Sequence, residues 1–276
     1  MVWKNKLKIC YILIFSCLGI LGWFHFSSNL AKEDFIYVSK KSNSQLAIDK
    51  ELKQPVTSVV AELTETVSLS SLDKQPIVSS DDKLIIQDVP FSPQAPFGEW
   101  SDPRQEDGCE EMAAIMAMRW VNQKTLTKEE AKKELLALSA WQTEKYKTYI
   151  DTSAQDTAER IFKGYYNYDK VKVVYDIDIV AIKKEIIAGR IVIVPLDGRA
   201  IKNPFYTRGG PERHMLLIKG YDPVTKEFIT NDAGTRRGEN YRYGEGALIN
   251  AVRDYPTGNH IPITESRRAM IVIYPK

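Results

Sequence analysis

Four side chains in this sequence form a set suited to acyl chemistry through a thiol. Cys109 lies in Gly108-Cys109-Glu110-Glu111, where the pattern predicts the start of a helix. The thiolate, not the thiol, is the nucleophile, and a helix N-terminus favours the anion through its unpaired N–H groups and partial positive charge. Cys10 and Cys17 lie in an apolar N-terminal segment, so neither is placed to form a disulfide with a folded domain. Taken alone, Cys109 reads as a small buried hydrophobe, the usual state of an unpaired cysteine. A thiol nucleophile needs a base, most often histidine, and the chain holds three histidines. His25 falls in the apolar segment. His260 sits in the turn-rich stretch Pro256-Thr257-Gly258-Asn259-His260-Ile261-Pro262, where a solvated loop position is expected. His214 remains. It opens the strand-like run His214-Met215-Leu216-Leu217-Ile218-Lys219-Gly220, just after Gly209-Gly210-Pro211-Glu212-Arg213, and a strand mouth can hold an imidazole rigidly beside a cleft.

The imidazole in turn needs a partner that orients it and stabilises its cation. Asn231-Asp232-Ala233-Gly234 follows the next strand-like run, residues 228–230. If the two runs pair through Tyr221-Asp222-Pro223-Val224, Asp232 falls near His214. Asn231 is the rival, since amide orienters also serve thiol hydrolases. An oxyanion needs hydrogen-bond donors. Gln94 on an upstream Pro-rich loop offers a side-chain amide and Cys109 its backbone N–H, with Gln105 a rival to Gln94. Singly, each has an ordinary structural reading: Gln94 as a surface amide, His214 as a core histidine, Asp232 as a turn former. Glu110 and Glu111 would raise the thiol pKa if they faced it, but first-turn glutamates need not. A Cys109/His214/Asp232 metal site lacks close ligand spacing, and no cofactor or metal is expected.

The elements that must position these groups begin near residue 84. Leu84-Ile85-Ile86-Gln87-Asp88-Val89-Pro90 predicts a short opening strand, followed by a loop carrying Pro93, Pro96, Gly98 and Pro103. From Cys109 to Val121, the apolar Met112, Ile115, Met116 and Trp120 recur at helical spacing and read as core. Thr127-Lys128-Glu129-Glu130 is a capping box opening a helix to about Ala140. Residues 153–163 predict a third helix, closed by Gly164. The period then changes. Strands are predicted at residues 171–175, 191–194, 214–219, 228–230 and 269–274, with a short helix at about 179–188. Helices first and a mainly antiparallel sheet afterwards make an α+β fold.

The whole chain has 276 residues, 43% of them hydrophobic and 27% charged, with a formal net charge of +2. That near balance, without a long basic run, gives no electrostatic support for nucleic-acid binding. Lys4, Lys6 and Lys8 precede residues 9–26, which contain no acid, Lys or Arg. This length suits a minimal membrane-spanning helix, and the preceding basic residues favour export of the chain beyond it. Residues 1–26 are therefore expected to form an uncleaved membrane anchor, with a cleaved signal segment as the alternative. Residues 27–83 lack glycine and any sustained period, and are read as a disordered linker. Residues 84–276 form the globular domain, outside the cytoplasm.

Three stretches carry a family resemblance. They are Val89-Pro90-Phe91-Ser92-Pro93-Gln94-Ala95-Pro96; Gly108-Cys109-Glu110-Glu111; and His214-Met215-Leu216-Leu217-Ile218-Lys219-Gly220-Tyr221-Asp222, continuing to Phe228-Ile229-Thr230-Asn231-Asp232. Together they resemble the papain-like cysteine peptidases of the bacteriocin-processing type and their stand-alone relatives, family thirty-nine of the cysteine peptidases. The resemblance covers roughly residues 85–276 and implies a papain-like fold and a peptide or protein substrate. It implies Gln94 in the oxyanion hole, Cys109 as nucleophile, His214 as base and Asp232 as orienter. Two departures bear on substrate class: the family's cysteine is often followed by Gly-Pro, here Glu110-Glu111, and its aspartate by proline, here Ala233. A cell-wall amidase or acyl transferase with the same set, and a non-catalytic binding module on a membrane stalk, are the alternatives. Arg236 or Arg237, on a predicted rim loop, offers a partner for a substrate carboxylate.

Overall fold

The computed structural model describes residues 83–276. The expected anchor at 1–26 and nearly all of the expected linker at 27–83 lie outside the described residues. Within them no helix is long and apolar enough to cross a membrane.

A seven-stranded sheet, antiparallel throughout, organises the described residues. Its strands are β1 (Ile85–Ile86), β2 (Val171–Tyr175), β3 (Ile191–Leu196), β4 (His214–Asp222), β5 (Glu227–Asn231), β6 (Tyr241–Gly244) and β7 (Ala269–Ile273). They lie in the order β2-β7-β3-β4-β5-β6, and β1 pairs with the far end of β4. Every residue of β3 and β7 is buried. The reason is that the sheet is covered on both sides: Ile191 and Ile193 join one apolar cluster, Val192 and Val194 the other. Alternation along a strand sends successive side chains to opposite faces, so a strand covered twice reads as a continuous apolar run. The α+β expectation agrees with this arrangement.

Seven helical segments join the strands among the described residues: α1 (Pro103–Glu106), α2 (Cys109–Val121), α3 (Lys128–Tyr146), α4 (Ala154–Asp156) with a π-helical continuation (Thr157–Tyr165), α5 (Ile179–Ile187), a 3-10 turn (Thr207–Gly209) and α6 (Glu245–Ala251). Met112, Ile115 and Met116 of α2 pack in one cluster with Met215 and Leu217 of β4. All but Arg119 and Trp120 of α2 are buried. It is a central helix rather than an amphipathic surface one, which fixes its first residue firmly against the sheet.

The capping box at Thr127 and Glu130 forms as expected. The helix it opens runs past Ala140 to Tyr146, ending at Lys147 with φ +68°. Trp141 to Lys145 contain no breaker, and Gln142 is drawn inward by Glu111. Gly164 does not close the third helix, which continues to Tyr165. A Cβ at Gly164 would stand 2.9 Å from the Trp141 ring, so this glycine serves close packing instead. Four elements were not anticipated: α1 within the Pro-rich loop, the 3-10 turn, β6 and α6. Each is short, and α6 has no side-chain cap.

Candidate active site

A cleft of about 840 Å³ opens where the start of α2 meets the start of β4. Gln94, Cys109 and His214 all line it. Asp232 lies behind the histidine, fully buried. Gln105 is buried but does not line the cleft; its amide reaches toward Glu99 and Asp102. Arg236 and Arg237 are exposed and line no part of it, Arg237 lying over the Phe205 ring.

The β4–β5 hairpin positions the imidazole. Its register sets Leu217 opposite Asn231 and Ile218 opposite Thr230. The chain continuing past Asn231 therefore runs back along the first residues of β4. His214 Nε2 meets Asp232 Oδ1 at 2.8 Å. That leaves Nδ1 as the ring atom able to take a proton from a thiol. Asn231 points elsewhere, donating from Nδ2 to the Val89 and Pro90 carbonyls at 3.0 and 3.2 Å. It ties down the strap leading to Gln94, while its neighbour holds the histidine.

Asp232 is held by more than the imidazole. Its Oδ2 accepts from Tyr206 Oη and Tyr243 Oη, both at 2.6 Å, and from Asn203 Nδ2 at 3.1 Å. Oδ1 also accepts the Gly234 N–H at 3.0 Å. Burial alone would raise the carboxyl pKa; the charge of His214 and the donated hydrogen bonds outweigh it and hold the group at about 2. Gly234 completes the contact, since a Cβ there would come within 2.9 Å of His214 Cε1. Asn203, Tyr206 and Tyr243 carried no sequence signal, because loop and edge positions have no period from which convergence can be read.

Gln94 is reached through the following residue of the same segment: its backbone N–H donates to the Ala233 carbonyl at 2.9 Å. Its side-chain Nε2 donates to the Glu106 carbonyl at 2.5 Å. An amide nitrogen carries two donors, so a second N–H remains for a ligand at the cleft.

The thiol departs from the sequence expectation. Cys109 does begin α2, yet it is 7% exposed, and its Sγ donates to Glu110 Oε2 at 3.0 Å. Burial, then the Glu110 charge and hydrogen bond, push the thiol pKa well above its ordinary value; a backbone hydrogen bond from Met215 works against them. The helix terminus does not prevail here. Glu110 itself is fully buried, and desolvation lifts its carboxyl to about 7. Glu111 turns away to Gln142 Nε2 at 2.5 Å.

His260 is solvated, as expected, but it also lines the cleft, with Nδ1 3.0 Å from Asp151 Oδ2. Asp107, Asp151, Trp100, Tyr206, Arg208 and Arg213 line the cleft too. Among the described residues no cluster of ligating side chains could hold a metal ion.

A hydrogen-bonded imidazole–carboxylate pair and a thiol thus share one cleft between a central helix and an antiparallel sheet. The Peptidase_C39 like family model matches residues 86–254, and the chain belongs to that family. Membership points to cysteine peptidase chemistry on a peptide or protein substrate. A solved structure from Bacillus anthracis, of a protein assigned as a C39-like peptidase, is similar over 70% of this chain and 98% of its own. The two share 14% identity, with a TM-score of 0.43. No curated protein matches the chain.

Proposed function

We propose that this protein hydrolyses amide bonds of peptides or proteins through Cys109, His214 and Asp232, with Gln94 in the oxyanion hole. The observation that carries the reading is the 2.8 Å bond from His214 Nε2 to Asp232, on a histidine that shares its cleft with Cys109. In the reaction Cys109 Sγ loses its proton to His214 Nδ1 and attacks the carbonyl carbon. The oxyanion accepts from Gln94 Nε2 and the Cys109 backbone N–H. On collapse of the tetrahedral intermediate, His214 returns the proton to the leaving amine. Water then hydrolyses the thioester, with His214 as base. Asp232 keeps the imidazole in orientation and stabilises its cation throughout.

The domain would work outside the cytoplasm, held by residues 9–26 as an anchor and spaced from the membrane by residues 27–83. The composition of these stretches supports that location.

Replacing Cys109 by alanine should abolish hydrolysis across a panel of peptides and peptidoglycan fragments. Unchanged hydrolysis would sink the reading. The panel itself separates a peptidase from a cell-wall amidase.

A further inference from the structure

Glu110 has no part in the hydrolysis described above, yet its side chain is hydrogen-bonded to the sulfur. Successive helical residues point about 100° apart, so a side chain normally faces away from its predecessor. Here the Glu110 carboxyl folds back, and Oε2 accepts the Cys109 thiol at 3.0 Å. The other oxygen is fixed from two further segments: Tyr255 Oη donates to Oε1 at 2.7 Å and the Thr152 N–H at 3.3 Å. Glu110 is 1% exposed, Tyr255 3% and Cys109 7%. The carboxyl is not a first-turn glutamate facing solvent; it is buried behind Cys109, which itself lines the cleft.

Two anions 3.0 Å apart in a buried place do not coexist. The Cys109–Glu110 pair therefore shares one proton over a wide pH range, and the proton belongs to the pair. It has two arrangements, a thiol donating to a carboxylate and a carboxylic acid donating to a thiolate. They interconvert by transfer of that one proton between Sγ and Oε2, with nothing else gained or lost. We propose that Glu110 is a catalytic partner of Cys109: once His214 has taken the thiol proton, the one proton left on the pair sits on Glu110, which donates its hydrogen bond to the reactive thiolate. This rests on Cys109 being the nucleophile, as in the proposed function.

Burial and the Asp151 charge favour a protonated Glu110, against the hydrogen bonds from Cys109 and Tyr255. Asp151, after α3, faces the pair with its charge, and Asp107 precedes α2 on the same cleft. Glu111 on α2 is turned to Gln142. Tyr255, from the chain after α6, is the neutral group in direct contact. From β4, the Met215 backbone donates to the sulfur and His214 lines the same cleft. A cationic His214 would favour the thiolate arrangement over the thiol. Burial brings the Glu110 carboxyl to about 7, so the acid is present below that pH. Above it a carboxylate increasingly opposes thiolate formation.

The test is the pH profile of Cys109 alkylation by iodoacetamide in the full chain, read by mass spectrometry on the peptide containing Cys109. Glu110→Gln keeps an acceptor for Tyr255 and Thr152, keeps an N–H for the sulfur and removes the charge. Alkylation at pH 8 should rise at least about tenfold, and the apparent pKa of Cys109 should fall by about one or more. Tyr255→Phe deletes a donor to the carboxylate. Glu110 then holds its proton to higher pH, and alkylation at pH 8 should rise about threefold to tenfold. A Glu110→Gln profile superimposed on wild type, or slower alkylation at pH 8 in a folded protein, overturns the proposal. Should Glu110→Gln fail to fold, an unmoved Tyr255→Phe profile overturns it equally.

Alkylation needs no turnover, so the two readings fail separately. Hydrolysis surviving Cys109→Ala removes the proposed function, whatever the alkylation profile. An unmoved profile with hydrolysis lost in Cys109→Ala removes only the role of Glu110.

Discussion

Replacing Asp232 by asparagine removes one charge from a pocket whose every donor is aimed at it. Oδ1 receives His214 and the Gly234 N–H; Oδ2 receives Tyr206, Tyr243 and Asn203. An amide nitrogen cannot accept. If it takes the Oδ1 position it confronts His214 and Gly234; if it takes Oδ2 it confronts Asn203, although the tyrosine hydroxyls can rotate. Either way a buried donor loses its acceptor, at about 1–3 kcal/mol. The second cost is electrostatic. A carboxyl held at about 2 instead of the ordinary 3.8 contributes about 2.5 kcal/mol to stability. Its folded pKa is depressed, so that stability is present above about pH 4 and is lost as pH falls through about 2. At pH 7 we expect Asp232→Asn to melt about 7–20 °C below wild type, with the gap narrowing as pH falls below about 4. Turnover should drop about 10³- to 10⁴-fold, as when an orienting carboxylate is lost from a triad. Scanning calorimetry across pH and a hydrolysis assay measure the two effects. Wild-type melting and turnover within threefold of wild type would refute the reasoning, because no five-donor carboxylate site could then be present.

Three further substitutions probe the remaining parts. Gln94→Ala should lower kcat about 10²- to 10³-fold with little change in KM, since an oxyanion donor acts in the transition state; steady-state kinetics reads this, and a KM effect alone would contradict it. Gly234→Ala introduces a Cβ 2.9 Å from His214 Cε1 and 3.1 Å from Tyr206 Cε1. It should cost at least about tenfold in kcat by displacing the imidazole, and wild-type turnover would count against the close packing. Glu110 also predicts a stability profile: its carboxyl is raised from 4.5 to about 7, so its contribution is full below about pH 4.5 and is lost as pH rises through about 7. Denaturant melts should show wild type losing roughly 3 kcal/mol relative to Glu110→Gln between pH 4.5 and 8, and parallel profiles would contradict the assignment.

Much of this arrangement was legible in the sequence, and particular residues show why. Periodicity exposed β2 at its full extent and the core of β3, β4, β5 and β7, because buried strands leave apolar runs. The hairpin through Tyr221-Asp222-Pro223-Val224 was enough to bring Asp232 to His214, while Asn231, equally eligible by residue type, went to the Val89 strap. Strand alternation separates the two: adjacent residues face opposite ways. What could not be read is the convergence of loops. Asn203 and Tyr206 reach Asp232 across more than two dozen residues, and Tyr255 reaches Glu110 across 145. None of these positions carries a period or a motif. The inward turn of Glu110 was equally hidden, because a helix start beside a lone cysteine argues for a stabilised thiolate. The buried carboxyl reverses that argument at a distance of 3.0 Å.

The central claim is that Cys109 forms the covalent bond to the acyl group. Rapid acid quench during turnover of a peptide ester, followed by intact-mass and peptide-level mass spectrometry, measures this directly. An acyl adduct is expected on the peptide carrying Cys109, accumulating in wild type, much slower to form in His214→Ala and absent in Cys109→Ala. Turnover with the adduct on another residue, or with Cys109 replaced by alanine, would contradict it.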